Sequence, residues 1–116
     1  MEYAMLIYTD EAQESKMGPD DLQKMMGGYK AFTEGVIAGG QYVTGRPLQP
    51  TPTATTVHVE DGQTLTTDGP FAETKEQLGG FYILKCKDLD EAISLAAKIP
   101  GAAAGRVEVR PIMVFG

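Results

Sequence analysis

One cysteine, one histidine and no tryptophan occur in the 116 residues, and basic side chains are few: 10 Lys and Arg against 16 Asp and Glu, a formal charge of −6. A single cysteine excludes an intrachain disulfide, and one cysteine with one histidine cannot build a Cys/His zinc cluster. Neither a metal nor another cofactor is therefore expected. The excess of acid disfavours nucleic acid as a partner, because non-specific binding to a phosphate backbone comes mainly from Lys and Arg. No run approaches the roughly 20 apolar residues of a membrane span. The apolar stretch Tyr3 to Tyr8 follows Glu2 and precedes Asp10 and Glu11, too short and wrongly flanked for a signal segment, so a cytoplasmic protein away from membranes is expected. The hydrophobic fraction of 42% with 22% charged residues is that of a globular chain. A chain of this size supports one hydrophobic core, hence one domain over residues 1–116.

Apolar patterning gives the order of elements. Tyr3 to Tyr8 (YAMLIY) reads as a strand apolar on both faces, followed by the polar stretch Thr9 to Lys16. Gly18 as cap, Pro19 at the first helical position, and Asp20 and Asp21 at the positive end of the dipole start a helix. Leu22, Met25, Met26, Tyr29, Phe32, Val36 and Ile37 form its apolar stripe, and Gly39 and Gly40 end it. Gly27 and Gly28 inside it point to close packing against a strand. Gln41 to Leu48 extends until Pro47, Pro50 and Pro52 interrupt it. Thr55 to Glu60 and Gln63 to Thr67 flank Asp61-Gly62, the turn dipeptide of a tight hairpin. After the polar segment Asp68 to Gly80, Phe81 to Cys86 returns to strand, again apolar on nearly both faces. Asp88 and Glu91 resemble a capping box before the helix face Leu89, Ala92, Ile93, Ala96 and Ile99, which Pro100-Gly101 ends. Ala102 to Gly105 reads as a loop before the last strand, where Val107 and Val109 alternate with Glu108 and Arg110.

The order β-α-β-(hairpin)-β-α-β is that of an α+β, ferredoxin-like split βαβ arrangement with an extra hairpin. Two helices cover one sheet face only, yet the two central strands are apolar on both. A homodimer that covers the open face is the expected resolution.

Candidate chemistry centres on the 13-residue segment Asp68 to Gly80, where Asp68 starts a turn and Glu73, Lys75 and Glu76 place opposite charges where a polar ligand would be held. The same charges would equally face water. His58, the lone imidazole, points opposite to Val57 and Val59; if the valines face the helices, His58 faces the open side. Arg46 at a strand end suits an anionic group or a surface ion pair. Tyr82 offers a phenol to a pocket, although a strand tyrosine more commonly belongs to a core. Met25 and Met26 read as core fillers and Cys86 as a buried small hydrophobe. The acidic stretch Asp10 to Asp21 reads as a solvated loop and helix start.

The stretch TVHVEDGQTLTTDGPFAETKEQLGGFYIL, with the capped helix after it and the ending GRVEVRPIM, resembles the DGPF-type proteins of the YCII-related family. The resemblance covers essentially the whole chain and implies a bacterial protein folded as a dimeric α+β barrel of ferredoxin-like subunits. Some members of that family resemble enzymes of small aromatic or lactone chemistry that use a His/Asp pair with the histidine on the first helix. This chain has no histidine there; Tyr29 lies near the corresponding place. DGPF-type members are also often encoded beside, or fused to, extracytoplasmic-function sigma factors, which implies a regulatory role.

Two readings follow. In the first, a cleft lined by Asp68, Glu73, Lys75, His58, Arg46 and Tyr82 binds or transforms a small molecule. Asp68 is proton acceptor or anchor, His58 an auxiliary acid/base, and Lys75 and Arg46 hold anionic oxygens. In the second, the protein docks on a sigma factor or another regulator without catalysis.

Overall fold

A computed structural model describes residues 1–116. Strand β1 (Glu2–Thr9) leads into a short helix α1 (Glu11–Glu14) and the long helix α2 (Pro19–Ala38). Strand β2 (Tyr42–Pro47), a single 3-10 turn at Thr51–Thr53, and the hairpin β3 (Thr55–Glu60) and β4 (Gln63–Asp68) follow. Strand β5 (Gln77–Lys85), helices α3 (Leu89–Ala96) and α4 (Pro100–Ala104), and strand β6 (Arg106–Pro111) complete the chain. The main sheet is antiparallel in the order β2-β5-β1-β6, an α+β architecture whose strand order is consistent with a split βαβ arrangement.

Local chemistry explains the boundaries. Pro19 stands at the start of α2 with Asp20 and Asp21 in its first turn. At its other end Gly40 adopts φ 75°, and the Gly40 and Gln41 amides donate to the Ile37 and Val36 carbonyls, a Schellman closure that a side chain at Gly40 would strain. Asp61 (φ 49°) and Gly62 (φ 75°) supply the two positive φ angles of the tight hairpin turn. The Asp88 carboxylate accepts from the Glu91 amide at 2.9 Å, while Glu91 reaches back to the Lys87 amide at 3.3 Å.

Alternation then sorts the sheet into two faces. Tyr3, Met5 and Ile7 of β1 and Tyr82 and Leu84 of β5 are buried under the helices, where Phe32, Val36, Ala92, Leu95, Ala96 and Ile99 complete the core with Cys86. The other face carries no element of this chain. Register places Leu6 opposite Phe81 and Ala4 opposite Ile83, an apolar centre flanked by Thr44 and Arg46 on β2 and by Arg106, Glu108 and Arg110 on β6.

Several expectations are corrected. Thr9 to Lys16 contains α1, because Asp10 caps it by accepting from the Ala12 and Gln13 amides at 3.0 and 3.3 Å. Glu11 is not simply solvated: its carboxylate accepts from the Thr51 amide at 2.9 Å and the Thr51 hydroxyl at 2.7 Å. Ala102 to Gly105 is no loop, since Pro100 opens α4 after α3 has ended at Ala96. Gly28 approaches Pro100 of α4 rather than a strand. Met26 is 62% exposed and outside the core, because α2 overhangs the sheet and buries only Phe32 and Val36. The hairpin pairs with no strand of the main sheet, so Val57 and Val59 face no helix.

The molecule is flat, with extents of 48 × 47 × 18 Å. Its radius of gyration of 16.1 Å exceeds the about 13 Å of a compact chain of this length. Its accessible surface of 8269 Å² exceeds the about 6,100 Å² expected from its mass.

Candidate functional site

A groove of about 810 Å³ opens where the end of β1 meets the start of β6. Tyr8, Asp10 and Gln13 form one wall, Thr74, Lys75 and Glu76 of the segment before β5 another, and Ala104, Arg106, Val107 and Glu108 the third. The β1–β6 pairing sets Tyr8 opposite Arg106, and the bulge between Ile7 and Tyr8 turns the β1–β5 register so that Gln77 reaches Thr9.

Most charges in this groove already have partners. Asp10 caps α1. Glu76 lies 3.6 Å from the Arg106 guanidinium, and Glu108 pairs with Arg110. Lys75 is exposed and has no carboxylate within 4 Å, as is true of every lysine but Lys30. The turn that presents Lys75 is closed by the Thr74 hydroxyl donating to the Glu76 carbonyl at 2.5 Å.

Of the six sequence-stipulated residues, the structure brings Lys75 alone into the groove. Glu73 is exposed in the same segment but does not line it. Arg46 stands on β2, its guanidinium donating to the Gly45 carbonyl at 2.7 Å. Tyr82 points the other way, into the core: its ring packs edge-on against Phe32 at 5.1 Å. Thr33 spends its proton on the Tyr29 carbonyl, so the Tyr82 hydroxyl donates to Thr33 Oγ1 at 2.8 Å. His58 and Asp68 are exposed on the hairpin and on its opposite faces, since His58 pairs with Leu65 while Asp68 pairs with Thr55. Three residues along a strand separate their levels, about 10 Å, so they share no proton within one chain.

Sequence reasoning missed Tyr8, Arg106 and Glu108 as groove residues. The signal lay in the last strand: with Val107 and Val109 turned to the core, Arg106, Glu108 and Arg110 share the other face. Arg46, Arg106 and Arg110 are all the arginines of the chain, and register puts every one of them on the open sheet face.

No three His, Cys, Asp or Glu side chains converge to hold a metal ion, and no helix is long and apolar enough to cross a membrane. Two groups ionise unusually, both away from the groove. Burial pushes the Tyr29 phenol up, partly offset by a hydrogen bond with the Gly101 backbone, with Tyr82 and Glu14 raising it further. Burial, and then the Glu91 charge, push the Cys86 thiol up, so it is no activated nucleophile. The neutral forms are favoured in the folded chain and ionise more readily in the unfolded one. Stability contributed by these two groups is therefore fully present below the unfolded values, 9.0 for the thiol and 10.0 for the phenol, and is lost as pH rises above them and through the raised values of the folded chain. Urea midpoints are expected to fall from pH 8 to pH 10.5, and to fall less in a Cys86→Ala, Tyr29→Phe variant; equal slopes would contradict the assignment.

These features define an antiparallel α+β protein with a charged groove at one corner of its sheet. The profile of the YCII-related domain matches residues 1–116. An uncharacterized protein of Rhizobium meliloti (strain 1021) is 38% identical over 117 residues, covering 99% of this chain and 94% of the relative. The chain belongs to the YCII-related family.

Proposed function

We propose that this protein is a cytoplasmic homodimer that binds a small carboxylate- or phosphate-bearing molecule in the groove beside Lys75. The observation that carries the proposal is the Lys75 ammonium, free of acidic partners at the wall of an open surface groove. Arg106 brings a second cation to the groove, its charge shared with Glu76 at 3.6 Å. The DGPFAETKEQLGG segment, which carries the resemblance to DGPF-type proteins, supplies Thr74, Lys75 and Glu76 to that wall.

The homodimer covers the open sheet face, where Leu6, Phe81 and Ile83 form an apolar centre with no element of the chain above it. A single buried thiol, Cys86, with no disulfide suits a reducing compartment.

The test is calorimetric titration of the wild type and Lys75→Ala with a panel of small mono- and dicarboxylates and organic phosphates. Loss of one charge-assisted hydrogen bond predicts affinity weakened about 10- to 100-fold, whereas Lys16→Ala, outside the groove, leaves it unchanged. Equal affinities for wild type and Lys75→Ala across the panel would remove the proposal.

A further inference from the structure

The β3–β4 hairpin has no evident reason to persist in a lone protomer. Its strands pair only with each other, and every one of their twelve residues but Thr56 is exposed. Val57, Val59 and Leu65 are 59%, 61% and 45% exposed. A lone two-stranded hairpin is marginal in water at best. Yet its base is firmly tied: the Gly69 amide donates to the Ala54 carbonyl at 2.8 Å, and the Thr56 hydroxyl to the Gly69 carbonyl at 2.8 Å. The Thr51 hydroxyl, just ahead of it, donates to the Glu11 carboxylate at 2.7 Å. The two legs of the hairpin are thus tied together at the base while its sides stay bare.

We infer that the β3–β4 hairpin is an arm that lies on a second copy of this chain, with its Val57–Val59 face against that copy. The inference rests on the homodimer reading above and specifies what makes the dimer.

Area argues for a second copy. The accessible surface of 8269 Å² exceeds that of a compact monomer of this mass by about 2,100 Å². Twice that excess, about 4,200 Å², falls in the range hidden by obligate homodimers. The apolar sheet face accounts for part of such an interface, and the arm enlarges it. Register gives the arm two faces, with Val57 and Val59 joined by Thr64 and Thr66 on one and His58 joined by Leu65 on the other. The first face lacks charge until Asp68 at its base.

Length agrees with that placement. Six-residue strands reach about 20 Å, and a four-stranded sheet is about 14 Å wide between its edge strands. The arm is long enough to cross the face it would cover.

Benzophenone attached to Val57→Cys tests the contact directly, because the native Cys86 thiol is buried and stays unlabelled. Illumination of the purified protein is expected to give a denatured species of twice 12.4 kDa; exclusive recovery of the single-chain mass overturns the arm. Sedimentation equilibrium of Val57→Asp, Val59→Asp supplies the second readout. Its dimer dissociation constant is expected to rise roughly 100-fold, with the far-ultraviolet circular dichroism of the wild type retained. A variant that dimerises as tightly as wild type overturns the arm and leaves the homodimer standing. A wild type that is monomeric at tens of micromolar overturns both.

Discussion

Replacing Gly105 by alanine is expected to remove about 4 kcal/mol or more of the folding free energy. Gly105 joins α4 to β6, and a Cβ built there falls inside the contact distance of the Tyr8 carbonyl oxygen and 3.1 Å from Thr9 Cα. These neighbours are backbone atoms of β1, the strand paired on both sides by β5 and β6. Neither can retreat without breaking a ladder, unlike the end of a flexible side chain. Such forced overpacking belongs to the exceptional class of substitutions that cost about 4 kcal/mol or more, against a total stability of about 5–15 kcal/mol for a typical domain. Urea unfolding followed by circular dichroism measures it. Gly27→Ala is the control: Gly27 lies in α2 with nothing within 4 Å of its Cβ position, so alanine there is expected to stabilise by about 0.5–1 kcal/mol. A Gly105→Ala protein as stable as wild type would mean that β1 and β6 are not held at this separation.

The elements legible in the sequence are those whose signals are local. Pro19, Asp20 and Asp21 open α2 and Gly39-Gly40 closes it within a few residues of the expected bounds, and Asp61-Gly62 fixes the hairpin turn. Where the cause is tertiary, the sequence was silent. Gln77 to Gly80 reads as polar and glycine-rich, yet these residues pair with Thr9, Tyr8, Ile7 and Pro47. The segment expected to run to Gly80 as a loop therefore ends at Glu76. The groove has the same history. Lys75 stood out as a charge in a long polar segment, whereas Tyr8 and Arg106 become its neighbours only when the first and last strands of the chain pair.

Counting alone, however, settles one point about the candidate site. A two-residue turn after Glu60 makes Glu60 the partner of Gln63, so even-numbered residues of β3 share a face with odd-numbered residues of β4. His58 and Asp68 are both even and were bound to be on opposite faces once the hairpin was accepted. The same parity separates Tyr82 from Phe81 and Ile83: the apolar run FYIL hides which face each ring takes, and burial of Leu84 sends Tyr82 inward with it.

That division of β5 into two faces sets up the last prediction. Leu84 is fully buried, 0% exposed, and lies in register between Tyr3 and Tyr42. Leu84→Ala is expected to cost about 3–5 kcal/mol, since a core of few residues between one sheet and short helices collapses poorly onto a void. Its neighbour Ile83 faces the open side, in register with Ala4 and Thr44. On a bare sheet face, Ile83→Ala removes only a partly exposed side chain and costs about 1 kcal/mol. Beneath a second copy the same substitution leaves a cavity in an interface and costs about 3 kcal/mol, and it also raises the dimer dissociation constant. The expected result is the larger penalty, with sedimentation showing association weakened by Ile83→Ala but not by Leu84→Ala under conditions where both variants remain folded. Leu84 lies on the helix-covered side of the sheet, so its loss is felt within the chain. A dissociation constant unmoved by Ile83→Ala would leave the open face bare and take away the physical reason for a second copy.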